Sequence, residues 1–264
     1  MDFSDRVIWI TGASSGIGEA LAVELAKRGA RLILSSRRRE ALESVRERLT
    51  NPKSHWIVPL DLGVPESLQA VVDATLPEVG RVDILINNGG VSQRSLARET
   101  ELSVDRRLIE VNYLGTVAMT KAVLPAMLKR QSGWIVAVSS VAGKVGSQMR
   151  SGYSGSKHAV VGFMDCLRAE LWSSGIRVLV ACPGWVKTNI SLNALNAKGE
   201  RDNIMDESIA GGISAEVCAL AIIRALEKGR DEVIIGKGLS RLAPTVKRFL
   251  PGLLNQINRR NAFR

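Results

Sequence analysis

The sequence predicts an α/β protein, a single doubly wound domain built on a parallel sheet. Three observations carry this reading. Short runs rich in Val, Ile and Leu alternate with longer helix-period segments. The chain of 264 residues is the size of one large domain. No Gly/Ser/Pro-rich linker divides it.

The strand runs are Val7–Ile10, Arg31–Ser35, Trp56–Leu60, Ile84–Asn87, Trp134–Ser139, Arg177–Ala181 and Glu232–Ile235. Most are nearly continuous in apolar residues, the pattern of strands covered on both faces. Between them lie helical patterns at Glu19–Arg28, Arg39–Leu49, Pro65–Leu76, Asp105–Lys129, Ser156–Ser173 and Ala215–Lys228. Strand–helix alternation winds into right-handed βαβ units with helices on both faces of the sheet. The segment Asn189–Ser214 is polar, long and weakly periodic, and is expected to form a loop over a pocket.

Composition narrows the function classes. The net charge is +10, but Lys237–Arg264 holds seven Lys/Arg and no Asp/Glu. The excess sits in the tail rather than in a stripe across the fold, so no nucleic-acid partner is expected. Cys166, Cys182 and Cys218 match no zinc or disulfide framework, and each lies in an apolar stretch. They read as small core residues in a reducing compartment, hence the cytoplasm. His55 and His158 have no acidic cluster beside them, so no metal is expected. The start, Met1-Asp2-Phe3-Ser4-Asp5-Arg6, lacks signal-peptide character, and no apolar run approaches the roughly 18–20 residues needed to span a bilayer.

Thr11-Gly12-Ala13-Ser14-Ser15-Gly16-Ile17-Gly18 follows the first strand and opens a helix. Gly12, Gly16 and Gly18 permit a tight turn and close approach to a pyrophosphate, while the helix N-terminus offers free N–H groups. A bare glycine-rich turn would look similar, but the strand–loop–helix context selects nucleotide binding. About 20 residues beyond the glycines, where an NAD site carries Asp or Glu, stand Ser36, Arg37 and Arg38. A guanidinium there can grip a ribose 2′-phosphate, which points to NADP(H).

Tyr153-Ser154-Gly155-Ser156-Lys157 places Tyr and Lys at i and i+4. Tyrosine exchanges protons poorly at neutral pH, and a neighbouring ammonium is expected to lower its pKa by about 2–3 units. The pair alone is weak evidence. Ser140, however, ends a strand thirteen residues earlier, at the carboxyl edge where α/β sheets bind ligands. Asn112 lies within an apolar helical stretch, where an amide needs partners. A structural hydrogen bond and a water-relay role are both open to it.

Taken together, Thr11-Gly12-x-x-x-Gly16-x-Gly18, Asp61-Leu62, Asn87-Asn88-Gly89-Gly90, Asn112, Ser140, Tyr153-x-x-x-Lys157 and Pro183-Gly184-x-Val186-x-Thr188 resemble the short-chain dehydrogenase/reductase family. The landmarks span residues 6 to about 188 in that family's order. The resemblance implies a Rossmann domain with sheet order 3-2-1-4-5-6-7. It assigns Tyr153 as acid/base and Ser140 as orienter of the substrate oxygen. Lys157 would bind the nicotinamide ribose and depress the Tyr153 pKa, and Asn112 would complete a proton relay. Asp61 would meet the adenine, Asn88 would shape the cofactor wall and Thr188 would contact the carboxamide region; Leu62, Gly89, Pro183, Gly184 and Val186 would also contact the cofactor. Ser14, Ser15 and Ile17 belong to the phosphate loop. More narrowly, Phe163-x-Asp165-Cys166-Leu167-Arg168-Ala169-Glu170, Thr188-Asn189-Ile190-Ser191 and Met205-Asp206 look like the member-seven branch, including its 7B type, whose members handle lipophilic carbonyl substrates.

The expectation is hydride exchange between NADP(H) and a lipophilic carbonyl or alcohol. A non-catalytic NADP sensor is disfavoured, since it has no need of Asn112, Ser140, Tyr153 and Lys157 together. Apolar residues on several faces of Asp105–Lys129 and Ser156–Ser173 predict a homodimer or homotetramer. In the tail, Leu242, Val246, Phe249 and Leu253 fall on one helical face, with Lys247 and Arg248 opposite. Pro251-Gly252 is expected to break that helix after about two turns. Two fates are open for the tail face: packing on the substrate loop or a neighbouring subunit, or peripheral contact with a membrane.

Overall fold

The computed structural model describes residues 1–260. The main sheet is formed by β1 (Val7–Thr11), β2 (Arg31–Ser35), β3 (Trp56–Ile57), β4 (Ile84–Asn87), β5 (Gly133–Val138), β6 (Ile176–Pro183) and, later in the chain, β9 (Glu232–Ile235). All its pairings are parallel, and the order is β3-β2-β1-β4-β5-β6-β9. This is the expected 3-2-1-4-5-6-7 arrangement, with β9 as the seventh strand. Two short strands, β7 (Val186–Lys187) and β8 (Ile213–Ser214), pair outside it.

The period-2 alternation of buried residues builds a core on each face. Ile8 and Ile10 join Leu32, Leu34, Ile84 and Ile86 under α1 (Gly16–Ala26), α2 (Arg39–Glu47) and α8 (Ala215–Glu227). Val7 and Trp9 join Ile33 and Leu85 under α3 (Leu68–Val79), α5 (Gly115–Arg130) and α6 (Ser151–Glu170). Each fully buried Ile or Leu contributes about 1.5–3 kcal/mol. Trp9 keeps its indole N–H satisfied in the core by donating to Ser35 Oγ at 2.8 Å.

Several elements depart from the sequence reading. The third strand shrinks to Trp56–Ile57, although Val58 N and Leu60 N still donate to Leu34 O and Ser36 O. It is an edge strand paired only with β2. The expected single helix Asp105–Lys129 is α4 (Leu102–Ile109), a wide π turn at Glu110–Leu114, and α5. Asn112 sits inside that wide turn. The helix expected from Ser156 begins at Ser151, so Tyr153 lies in its first turn. Cys182 and Cys218 are buried, but Cys166 is exposed, contrary to its reading as core; it falls on the outer side of α6 beside exposed Asp165.

The segment after β7 is more ordered than a plain loop. It holds α7 (Glu207–Ala210) and β8, and Leu195 bridges to Gln93 and Arg201. Arg94 pairs with Asp202 and Asp206, and Arg150 with Asp206, all four largely shielded. The tail forms two helices, α9 (Gly238–Phe249) and α10 (Pro251–Arg260). The break falls at Leu250, but Pro251 starts a new helix rather than ending helical structure, because proline suits a first helical position. The predicted apolar face is also divided. Val246 packs with Val141, Val145, Ala243 and Leu254, whereas Leu242, Phe249 and Leu253 are exposed.

Candidate active site

The carboxyl ends of β1, β2, β4, β5 and β6 open onto one cavity of about 1060 Å³. At one end lies the glycine loop. Gly12 takes φ 65°, and a Cβ there would stand 2.7 Å from Gly89 Cα, so only glycine fits. Gly18 lies beneath the loop rather than in the cavity; a Cβ on it would strike the Gly12 carbonyl. Ser15 precedes α1 without a side-chain cap, leaving the first-turn N–H groups of that helix for a ligand. Gly12, Ser14, Ser15, Gly16 and Ile17 line the cavity.

Asn88 ties this loop to β4. Its Nδ2 donates to Thr11 O at 3.1 Å and Gly12 O at 3.2 Å, while Thr11 Oγ1 accepts from the backbone of Asn88 and Gly89. Ser36, Arg37 and Arg38 follow β2 along the wall, and Asp61, Leu62, Asn88 and Gly89 continue it. Asp61 accepts from Gly63 N and pairs with Arg107 at 3.7 Å. Pro183, Gly184, Val186 and Thr188, around and beyond the end of β6, close the opposite side, where Thr188 lies against Gly16.

Ser140, Tyr153 and Lys157 converge at the other end. Ser140 caps the short turn Val141–Gly143 by accepting from Ala142 N at 3.0 Å and donates to Pro183 O at 3.3 Å. Tyr153 is buried, and the Ser140 side chain lies near enough to its hydroxyl to favour the charged form. Lys157 Nζ donates to Val138 O at 3.0 Å and lies 6.0 Å from the Tyr153 ring centroid.

Here the structure corrects the sequence reading. Burial raises the Tyr153 pKa above its ordinary value, outweighing the lowering by Ser140 and the Arg150 charge. Lys157 is itself desolvated, its pKa pushed down to about 8, and its ammonium is turned to the Val138 carbonyl. At neutral pH the tyrosine is protonated, as an ordinary tyrosine is, and burial makes its proton harder to release.

Asn112 does not line the cavity. Its Oδ1 accepts from Val91 N at 2.8 Å, and its Nδ2 donates to Val91 O and Ser156 Oγ. These bonds brace the segment after β4 against α6, the structural alternative for this amide. Gly90 lies between Asn112 and Lys157: a Cβ there would stand 2.9 Å from Asn112 Oδ1 and 3.4 Å from Lys157 Nζ.

Sequence reasoning missed three contributors. Gln93, fully buried, accepts from Gly152 N at 2.9 Å and Tyr153 N at 3.2 Å, capping the helix that carries Tyr153. Arg150 donates to Ser92 Oγ, pairs with Asp206 at 2.9 Å and stacks over Trp185. The tail supplies Leu239, Ser240, Ala243 and Leu254 to the cavity wall. No local spacing announces these residues, since all meet the site through distant parts of the chain. Among the described residues no group of three His, Cys, Asp or Glu could hold a metal.

The sheet order, glycine loop and Ser140–Tyr153–Lys157 cluster define a class, and the chain belongs to the short-chain dehydrogenase family: the model described as short chain dehydrogenase matches residues 6–198. These proteins are oxidoreductases. Within the family, the chain is similar to dehydrogenase/reductase SDR family member 7B of Bos taurus, 41% identical over 256 residues that cover 94% of this chain and 79% of the relative. A short chain dehydrogenase/reductase from Burkholderia phymatum, solved in complex with NAD, superposes with a TM-score of 0.83 at 25% identity, covering 97% of this chain and 96% of that one. A short chain dehydrogenase from Burkholderia cenocepacia, solved with NADP, gives 0.79 at 25% identity, with 97% and 98% covered.

Proposed function

We propose that this oxidoreductase uses NADP(H) to interconvert a lipophilic carbonyl compound and its alcohol. The observation that carries the reading is the convergence of Ser140, Tyr153 and Lys157 on the cavity that the glycine loop enters. The residues fit a dinucleotide. The uncapped start of α1 offers N–H groups to a pyrophosphate, and the Gly12–Gly89 contact leaves no bulk in its way. Bound there, the nicotinamide supplies the hydride.

The solved relatives carry NAD in one case and NADP in the other, so the choice rests on this chain's own residues. Ser36, Arg37 and Arg38 line the cavity with no carboxylate among them. Asp61 is the only acid among the described lining residues, and it is paired with Arg107. This supports a 2′-phosphate at Arg37, with Arg38 beside it.

For the reaction, Ser140 orients the substrate oxygen and Tyr153 delivers a proton to it as a general acid. Tyr153 is protonated at neutral pH, the form a general acid needs. Lys157 binds the ribose. Val91, Val141, Val145, Trp185, Ile209 and Leu254 give the substrate end apolar walls, which supports a lipophilic substrate.

The test is NADPH carrying deuterium at nicotinamide C4, offered with a panel of ketones, aldehydes and quinones. The reading expects label on the carbinol carbon of at least one ketone or aldehyde product; oxidation of the cofactor without label transfer excludes it. Assembly as a homodimer or homotetramer is proposed through exposed Ile109, Leu114 and Leu128 along α4–α5 and Trp172 beyond α6. A monomer mass by light scattering at micromolar concentration would refute it. Three free cysteines support a reducing, cytoplasmic setting.

A further inference from the structure

Helices α9 and α10 present two different faces. The inner face belongs to the cavity: Leu239, Ser240, Ala243, Leu254 and Asn258 line it. Lys247 is held to this side by donating to Lys144 O at 2.9 Å. The outer face of α9 carries Leu242 and Phe249, seven residues apart and therefore on one side of the helix, 58% and 71% exposed. Arg241 and Arg248 each precede one of them, so two exposed guanidinium groups flank the apolar pair. Leu250 and Leu253 extend the exposed apolar surface into α10. No Asp or Glu occurs from residue 237 to the end of the chain.

We propose that this outer face docks reversibly on an anionic phospholipid bilayer. Charge decides the occupant. A two-fold contact with a second copy would set Arg241 and Arg248 against the same arginines, with no acid in the tail to separate them. A surface of lipid phosphates and carboxylates complements the arginines, while Leu242 and Phe249 enter the acyl boundary. Among the described residues no helix is long and apolar enough to cross a membrane, so this contact is peripheral. The same two helices wall the cavity, so docking sets the cavity beside hydrocarbon. Loading of a lipophilic substrate from the bilayer rests on the oxidoreductase reading; docking itself does not.

The experiment is flotation of the full chain with phosphatidylcholine vesicles, with and without phosphatidylserine, at low and high salt. The wild type is expected to float only with the anionic vesicles and to be released by salt. R241Q/R248Q removes two cations and weakens partition by about 30-fold. L242Q/F249Q weakens it at least about tenfold by removing the buried apolar area. Neither pair lines the cavity, so both variants keep wild-type turnover of a water-soluble ketone. The proposal is overturned if the wild type does not float, if it floats equally on neutral vesicles, or if the variants float like the wild type. It is also overturned if light scattering shows a dimer that L242Q/F249Q dissociates while no protein floats. Flotation needs no substrate, so a failure of the oxidoreductase reading would be seen separately.

Discussion

Replacing Lys157 with Met removes an ammonium that is 5% exposed and held by one carbonyl, that of Val138. Desolvation moves its pKa from 10.5 to about 8. At 1.36 kcal/mol per unit, the charged form costs the folded protein about 3 kcal/mol relative to the unfolded chain. The sign follows from linkage. The folded pKa lies below the unfolded one, so between about pH 8 and 10.5 the unfolded chain binds more protons and wild-type stability rises with pH. Below that window the cost is fully present; above it the cost is gone. K157M lacks this dependence. In cofactor-free protein, its stability relative to wild type should fall by about 3 kcal/mol between pH 7 and pH 10.5. At pH 7 K157M should be the more stable by about 2 kcal/mol, since the orphaned Val138 carbonyl takes back about 1 kcal/mol. Urea unfolding of both proteins across this range checks it, and titrations shared by the two cancel in the difference. A difference that stays flat with pH, or grows with it, would refute the burial argument. The same substitution should abolish turnover, so stability and activity move in opposite directions.

Two further outcomes follow. Ser36→Asp with Arg37→Leu should weaken NADPH binding by about 1.5–3 kcal/mol, the scale of a charge-assisted hydrogen bond, and shift preference toward NADH; equal wild-type affinity for the two cofactors in titration would refute the 2′-phosphate assignment. Gln93→Ala strips the acceptor from Gly152 N and Tyr153 N and should cost about 1–2 kcal/mol of stability, with kcat falling more than KM changes; unchanged unfolding and kcat would show that Gln93 does not position the helix.

What the sequence showed, and what it hid, divides by the range of the interactions. The glycine loop and the Tyr153–Lys157 spacing were legible because backbone turns and helix periodicity are local. The sheet order was legible through the landmarks' sequence, which orders the strands without contact information. The wide turn at Asn112 was not, because it accompanies side-chain bonds to Val91 and Ser156, 21 and 44 residues away. Gln93 and Arg150 were hidden for the same reason. The direction of the Tyr153 shift was misread because spacing shows that a lysine is near but not how dry the site is or where its ammonium points. In the tail, periodicity drew one apolar face, and packing on Val141 and Val145 drew part of it inward.

The central claim is that Tyr153 supplies the proton for hydride transfer in the cavity shared with the glycine loop. Tyr153→Phe removes the hydroxyl alone, and the measurement is kcat with an accepted ketone together with NADPH affinity by titration. The account predicts unchanged affinity and a fall in kcat of at least about 100-fold. Near-wild-type turnover by the folded variant would contradict it.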